Sequence, residues 1–183
     1  MRPAAGHGLR DRNRAWQWRC VVGAEHRHSR HTIHAMSEPA ATTGRCLCGD
    51  IQYAFTGAPD RVFHCHCDSC RRHVSSPVTT FVCVLRDTFR FTKGEPQVYV
   101  SSPGVRRSFC PRCGSPIAYE ADRIPNEVHL YHGTLSDPAA VRPTAHVHVR
   151  EQLEWFDVQD DLPRYARGMR GVDPICHGPR QSG

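Results

Sequence analysis

The chain has 183 residues, of which 39% are hydrophobic and 8% aromatic, enough for one core-bearing domain. No apolar run approaches the roughly 18 residues that a spanning helix needs, so the sequence offers no membrane helix. The formal net charge of +6 is unevenly placed: residues 1–35 hold seven arginines and two acids, and the rest has 17 bases against 16 acids, too balanced for nucleic-acid binding by the body of the protein.

Residues 1–35 are rich in Arg and His, keep neither a period of 2 nor one of 3.6, and give Trp16 and Trp18 no apolar neighbours. They read as a disordered extension outside the fold, either a transit or functional tail or residues upstream of a true start at Met36. The expected organisation is an extension over 1–42, a domain over 43–166, and a loose tail over 167–183 in which Cys176 and His177 find no partner by spacing.

From Gly44 the pattern becomes that of strands. Asp50–Phe55 alternates, with Ile51, Tyr53 and Phe55 on one face. Gly57-Ala58-Pro59-Asp60 turns the chain, and Val62-Phe63 leads into a cysteine cluster. Thr79–Leu85 is a β-branched and apolar run whose Cys83 reads as a small core residue. Strands follow at Thr88–Thr92, Val98–Ser101, Val105–Phe109, Pro116–Tyr119, Glu127–His132 and Ala145–Val149, with Gly- and Pro-bearing turns between several of them. No apolar stripe at helical spacing lasts ten residues, so the expected class is all-β in a single domain. His129, His132, His146 and His148 are expected on partly exposed strand faces rather than as ligands.

Seven of the ten cysteines fall into three tight groups: Cys46-Leu47-Cys48, Cys65-His66-Cys67-Asp68-Ser69-Cys70 and Cys110-Pro111-Arg112-Cys113. Short C-x-C and C-x-x-C spacers let backbone turns aim sulfurs at one ion, whereas neighbouring C-x-C thiols bridge each other only with strain. Metal therefore fits better than disulfides. With no secretory signal in view, the cysteine usage points to a reducing cytoplasm. Seven divides as four plus three. Cys46, Cys48, Cys110 and Cys113 can close a tetrathiolate, and Cys65, Cys67 and Cys70 leave a position open unless His64, His66 or His73 fills it. Arg71 and Arg72 follow the cluster, where a cation is favoured beside thiolates and can bind a carboxylate substrate.

Gly44-Arg45-Cys46-Leu47-Cys48-Gly49, His64-Cys65-His66-Cys67-Asp68-Ser69-Cys70-Arg71 and Phe109-Cys110-Pro111-Arg112-Cys113-Gly114-Ser115-Pro116 together resemble the glutathione-dependent formaldehyde-activating enzyme family, whose domain also occurs in centromere protein V. The likeness runs over about residues 43–165 and includes Gly133–Pro138, Trp155 and Leu162-Pro163-Arg164-Tyr165. It implies an Mss4-like, zinc-braced β-sheet fold with two zinc ions. One, structural, is on Cys46, Cys48, Cys110 and Cys113; the other, exchangeable, is on Cys65, Cys67 and Cys70. It also implies carbon–sulfur lyase chemistry, the reversible addition of glutathione to formaldehyde at the three-cysteine site, with Arg71 a candidate for holding the tripeptide. A glutathione carrier would need the same ligands without catalysis, and a centromere protein V-like adaptor is the remaining alternative. The thiol partner is glutathione or a similar small thiol, with a small aldehyde as its co-substrate.

Overall fold

A computed structural model describes residues 41–179; the expectations for residues 1–35 and for Met36 lie outside the described residues. Among the described residues twelve strands form two sheets. The smaller is antiparallel, in the order β1 (Thr42–Arg45), β2 (Gln52–Phe55) and β5 (Phe89–Lys93). The larger has nine strands. Its middle is β3 (Arg61–Cys65), β4 (Thr79–Leu85) and β9 (Glu127–Tyr131), continued by β8 (Pro116–Ala121), β7 (Val105–Phe109) and the edge strand β6 (Gln97–Ser102). On the other side of β3 lie β10 (Ala145–Val147), β11 (Pro163–Arg164) and β12 (Cys176–His177). The all-β expectation holds. Among the described residues no helix is long and apolar enough to cross a membrane.

Side chains alternate across a strand, and here the alternation separates two cores. Val62, Val82, Val84, Val128 and Leu130 point to the face that packs on the small sheet, meeting Ile51, Tyr53 and Phe55. The opposite face collects Phe63, Cys65, Phe81, Cys83, Tyr119 and Tyr131. Register then sets a row straight across that second face: Arg107 pairs with Tyr119, Tyr119 with His129, His129 with Cys83, and Cys83 with Arg61. Covering the first face with a sheet leaves the second to form a site.

Three local features depart from the sequence reading. Residues Asp68–Val74 form one short helix, α1, which starts on Cys67 and stops at Ser75 in the left-handed conformation (φ 52°). Seven residues with only Cys70 buried cannot show a helical stripe, which is why periodicity missed it. The segment expected to be a loose tail is partly built into the sheet: Cys176 is buried, β12 pairs with β11, and the fully buried Arg164 donates from Nε to the Gly178 carbonyl. His129 and His146 are buried, not on partly exposed faces, because each sits on an inner strand of the sheet with a neighbour on either edge. Cys83 is a fully buried core thiol, as expected.

Candidate metal centres

The first centre is made of two similar turns. Cys46 and Cys48 lie between β1 and β2, Cys110 and Cys113 between β7 and β8. In each turn the first cysteine donates its N–H to a carbonyl five residues on, Ile51 or Ser115, and accepts at its own carbonyl from a glycine, Gly49 or Gly114. Those glycines have φ of 78° and 74°, a conformation that a side chain disfavours, so the C-x-C-G and C-x-x-C-G endings are what let the chain double back. The Leu47 N–H donates to Ser115 Oγ at 3.1 Å and ties one turn to the other. All four sulfurs fall within 4.8 Å of one another. Hydrogen bonding from Ser115 pulls the Cys113 thiol down to about 5.

The second centre lies on the other core. Cys65 ends β3, Cys67 caps α1, and Cys70 sits in its first turn, with the Cys70 N–H 3.4 Å from Cys67 Sγ. Their three sulfurs also converge within 4.8 Å, and among the described residues no histidine nitrogen joins that group. His64 points to the far face of β3, where Nδ1 is 2.8 Å from Thr80 Oγ1; His66 Nε2 is 2.9 Å from His146 Nδ1. Bonds from Cys65 and Cys70 hold Cys67 far below an ordinary thiol, and the bond to Cys67 pushes Cys65 well above one. Contact with Cys65 pulls Cys70 down, but its bond to Cys67 and its burial outweigh that and raise it to about 11. A divalent ion would favour the thiolate form of each of the three packed thiols.

Above these sulfurs opens a cavity of about 840 Å³, lined by all three cysteines and, at its sides, by Arg61, Arg72, His73, Arg107, Tyr119, Arg123 and His148. That volume lies in the range of small-molecule sites. Arg71 is not among the lining residues. Its Nε donates to the His66 carbonyl at 3.0 Å and it pairs with Asp68, so it braces the cysteine loop, whereas Arg72 reaches the cavity rim. Sequence reasoning missed Arg107. Only 4% exposed, it donates to Ser101 Oγ and Tyr131 Oη, lies 5.1 Å over the Tyr119 ring, and among the described residues pairs with no carboxylate. Burial works against its charge, but Tyr131 and Cys70 outweigh burial and raise its pKa. The one available signal was alternation along β7, which puts Arg107 on the inner face with Val105.

Two further groups bring ligand-type atoms together: Cys83 with Glu127 and His129, and His64 with His146 and Asp160. In the former the carboxylate is already engaged by Arg61 at 2.7 Å and by Arg170, so it belongs to an ion-pair network.

The family model for the glutathione-dependent formaldehyde-activating enzymes matches residues 41–151. The chain belongs to that family. It is similar to an uncharacterized lyase of Schizosaccharomyces pombe, 30% identical over 76 residues, an alignment that covers 42% of this chain and 55% of that relative. The chain thus matches little more than half the length of that protein. A solved structure of a Rhodobacter sphaeroides protein is similar at 20% identity and a TM-score of 0.46, covering 55% of this chain and 91% of that one.

Proposed function

We propose that the protein is a zinc-dependent carbon–sulfur lyase that joins glutathione, or a similar anionic thiol, to formaldehyde or another small aldehyde, and runs the reverse cleavage. The observation that carries this reading is a three-sulfur group at the floor of a cavity whose wall holds a buried, carboxylate-free arginine. Family membership and the lyase-named relative support the reaction class.

The donor sets fit zinc. Four thiols suit a closed structural site and three suit a site that keeps a position open. Zinc at Cys65, Cys67 and Cys70 would lower the pKa of an incoming thiol and hold its sulfur in place. The chain's own residues do the rest. Arg107, which lines the cavity, pairs with a carboxylate of the tripeptide, and Arg123 and Arg72 add positive charge at the sides. Phe63, Phe81 and Tyr119 provide an apolar wall that displaces water from the small aldehyde. In the forward direction a carbon–sulfur bond forms to the aldehyde carbon, the carbonyl π bond breaks, and the thiol proton ends on the oxygen.

His148 is placed to move that proton. It follows Val147, the strand partner of Cys65, and is close enough to bear electrostatically on Cys67. Its backbone is left-handed (φ 57°), which is uncommon outside glycine, and it lines the cavity; Glu151 Oε1 stands 3.6 Å from Nδ1. The test is formaldehyde consumption with glutathione against the uncatalysed rate. Catalysis abolished in Cys67→Ala supports the reading. Rates equal to the uncatalysed one in the wild-type protein, with glutathione bound, would make it a thiol carrier.

A further inference from the structure

On the face of the large sheet opposite the cavity, β3 and β10 run parallel, and their register sets His64 directly beside His146. A ring nitrogen of each and a carboxylate oxygen of Asp160 lie within 4.8 Å of one another. The geometry points to a third metal site, formed by His64, His146 and Asp160, that takes a divalent transition-metal ion of the zinc class.

Four observations support it. The two rings lie side by side with centroids 4.9 Å apart, so both can turn an edge to one point. Each ring has its second nitrogen fixed: His64 Nδ1 is 2.8 Å from Thr80 Oγ1, and His146 Nδ1 is 2.9 Å from His66 Nε2. Outer partners of this kind orient ligating imidazoles. His146 Nε2 then faces Asp160, at 3.1 and 3.0 Å from its two oxygens, and the Leu162 N–H holds Oδ1 at 3.2 Å. Last, the charge balance admits a cation. Arg164 is near, its Nη2 3.6 Å from Asp160 and Nη1 3.4 Å from Asp157, yet two carboxylates against one guanidinium leave a net negative site. Two imidazoles and one carboxylate select a borderline ion over calcium or magnesium and leave coordination positions for water or a small ligand. An ion there would clamp β3 and β10 to the loop before β11, on the far side of the strand that carries Cys65.

Cobalt(II) separates this site from the thiolate centres, because sulfur ligands give intense near-ultraviolet charge transfer and nitrogen–oxygen ligands give only weak visible bands. Adding cobalt(II) to the full chain that keeps its structural zinc should yield one equivalent without charge transfer beyond the one with it. Asp160→Asn and His146→Gln should each lose that equivalent and keep the charge-transfer bands. Cys67→Ala should do the reverse, so failure of the lyase reading and failure of this one leave different records. The wild-type cobalt protein provides a check free of mutation: two strongly shifted exchangeable imidazole N–H resonances, one from each ring. Uptake that ends with the thiolate-bound equivalents, variants that still bind the extra ion, or absence of the two resonances would overturn the proposal.

Discussion

Replacing Arg107 by Met removes the charge while keeping most of the buried volume, and the structure sets what should follow. The guanidinium is nearly enclosed and lies beside Cys70 and Tyr119, and Arg107 lines the cavity without a carboxylate of its own among the described residues. A buried hydrogen bond to a charged group contributes about 1.5–3 kcal/mol, which corresponds to a loss of about 10- to 150-fold in glutathione affinity. Arg107 also bonds Ser101 and Tyr131, so part of any loss could come from a loosened wall. Two thiols separate the effects in isothermal titration calorimetry: glutathione, with its carboxylates, and cysteamine, with none. Arg107→Met should weaken glutathione by the stated factor and leave cysteamine within about twofold. An equal loss for both thiols, or no loss for glutathione, would refute the assignment of Arg107 as the carboxylate partner.

Cys113→Ser should lose one zinc and melt far below the wild type, since structural zinc contributes on the order of 10 kcal/mol in small domains and Cys46 and Cys110 are part of the main core; an unchanged melting curve would contradict a structural role. His148→Asn keeps a residue that tolerates the left-handed backbone, so it should fold and bind zinc while kcat falls roughly 100-fold or more. Wild-type turnover in that variant would remove His148 from the proton path. Burial, aided by Arg61 and Arg123, holds His129 down at about 4 against 6.5 for an ordinary imidazole. The unfolded chain therefore takes up this proton first as pH falls, and the stability His129 contributes is intact above pH 6.5 and drains away toward pH 4. Denaturant titrations at pH 7 and pH 4.5 should differ less in His129→Gln than in the wild type, by up to about 3 kcal/mol; an identical difference in both would show that His129 does not titrate this way.

Much of the fold was legible because its strands are short, alternating and separated by Gly and Pro turns. Thr79–Leu85 and Val105–Phe109 match β4 and β7 at both ends. The cysteine groups were equally readable, since spacing alone tells which sulfurs a tight turn can aim together. What stayed hidden depends on contacts far apart in sequence. β11 and β12 have two residues each and exist only because β10 offers an edge. Arg164 resembled a motif residue, yet its role is burial against Gly178 and Val158. Arg71 looked like the substrate cation because it follows Cys70 directly, but one turn of helix directs it to the His66 carbonyl, and Arg107, 36 positions after Arg71, lines the cavity instead. His64 and His146 are 82 positions apart and become neighbours only through the parallel β3–β10 pairing.

The central claim is that Cys65, Cys67 and Cys70 hold an exchangeable ion whose remaining position a substrate thiol can occupy. Adding glutathione to the cobalt-substituted protein and recording the near-ultraviolet charge-transfer band tests it most directly. The account predicts that the band grows in the wild type as a fourth sulfur arrives, and that Cys67→Ala, still folded on its intact tetrathiolate, shows one thiolate-bound cobalt fewer and no growth. A band indifferent to glutathione in the wild type, or one that grows equally in Cys67→Ala, would contradict it.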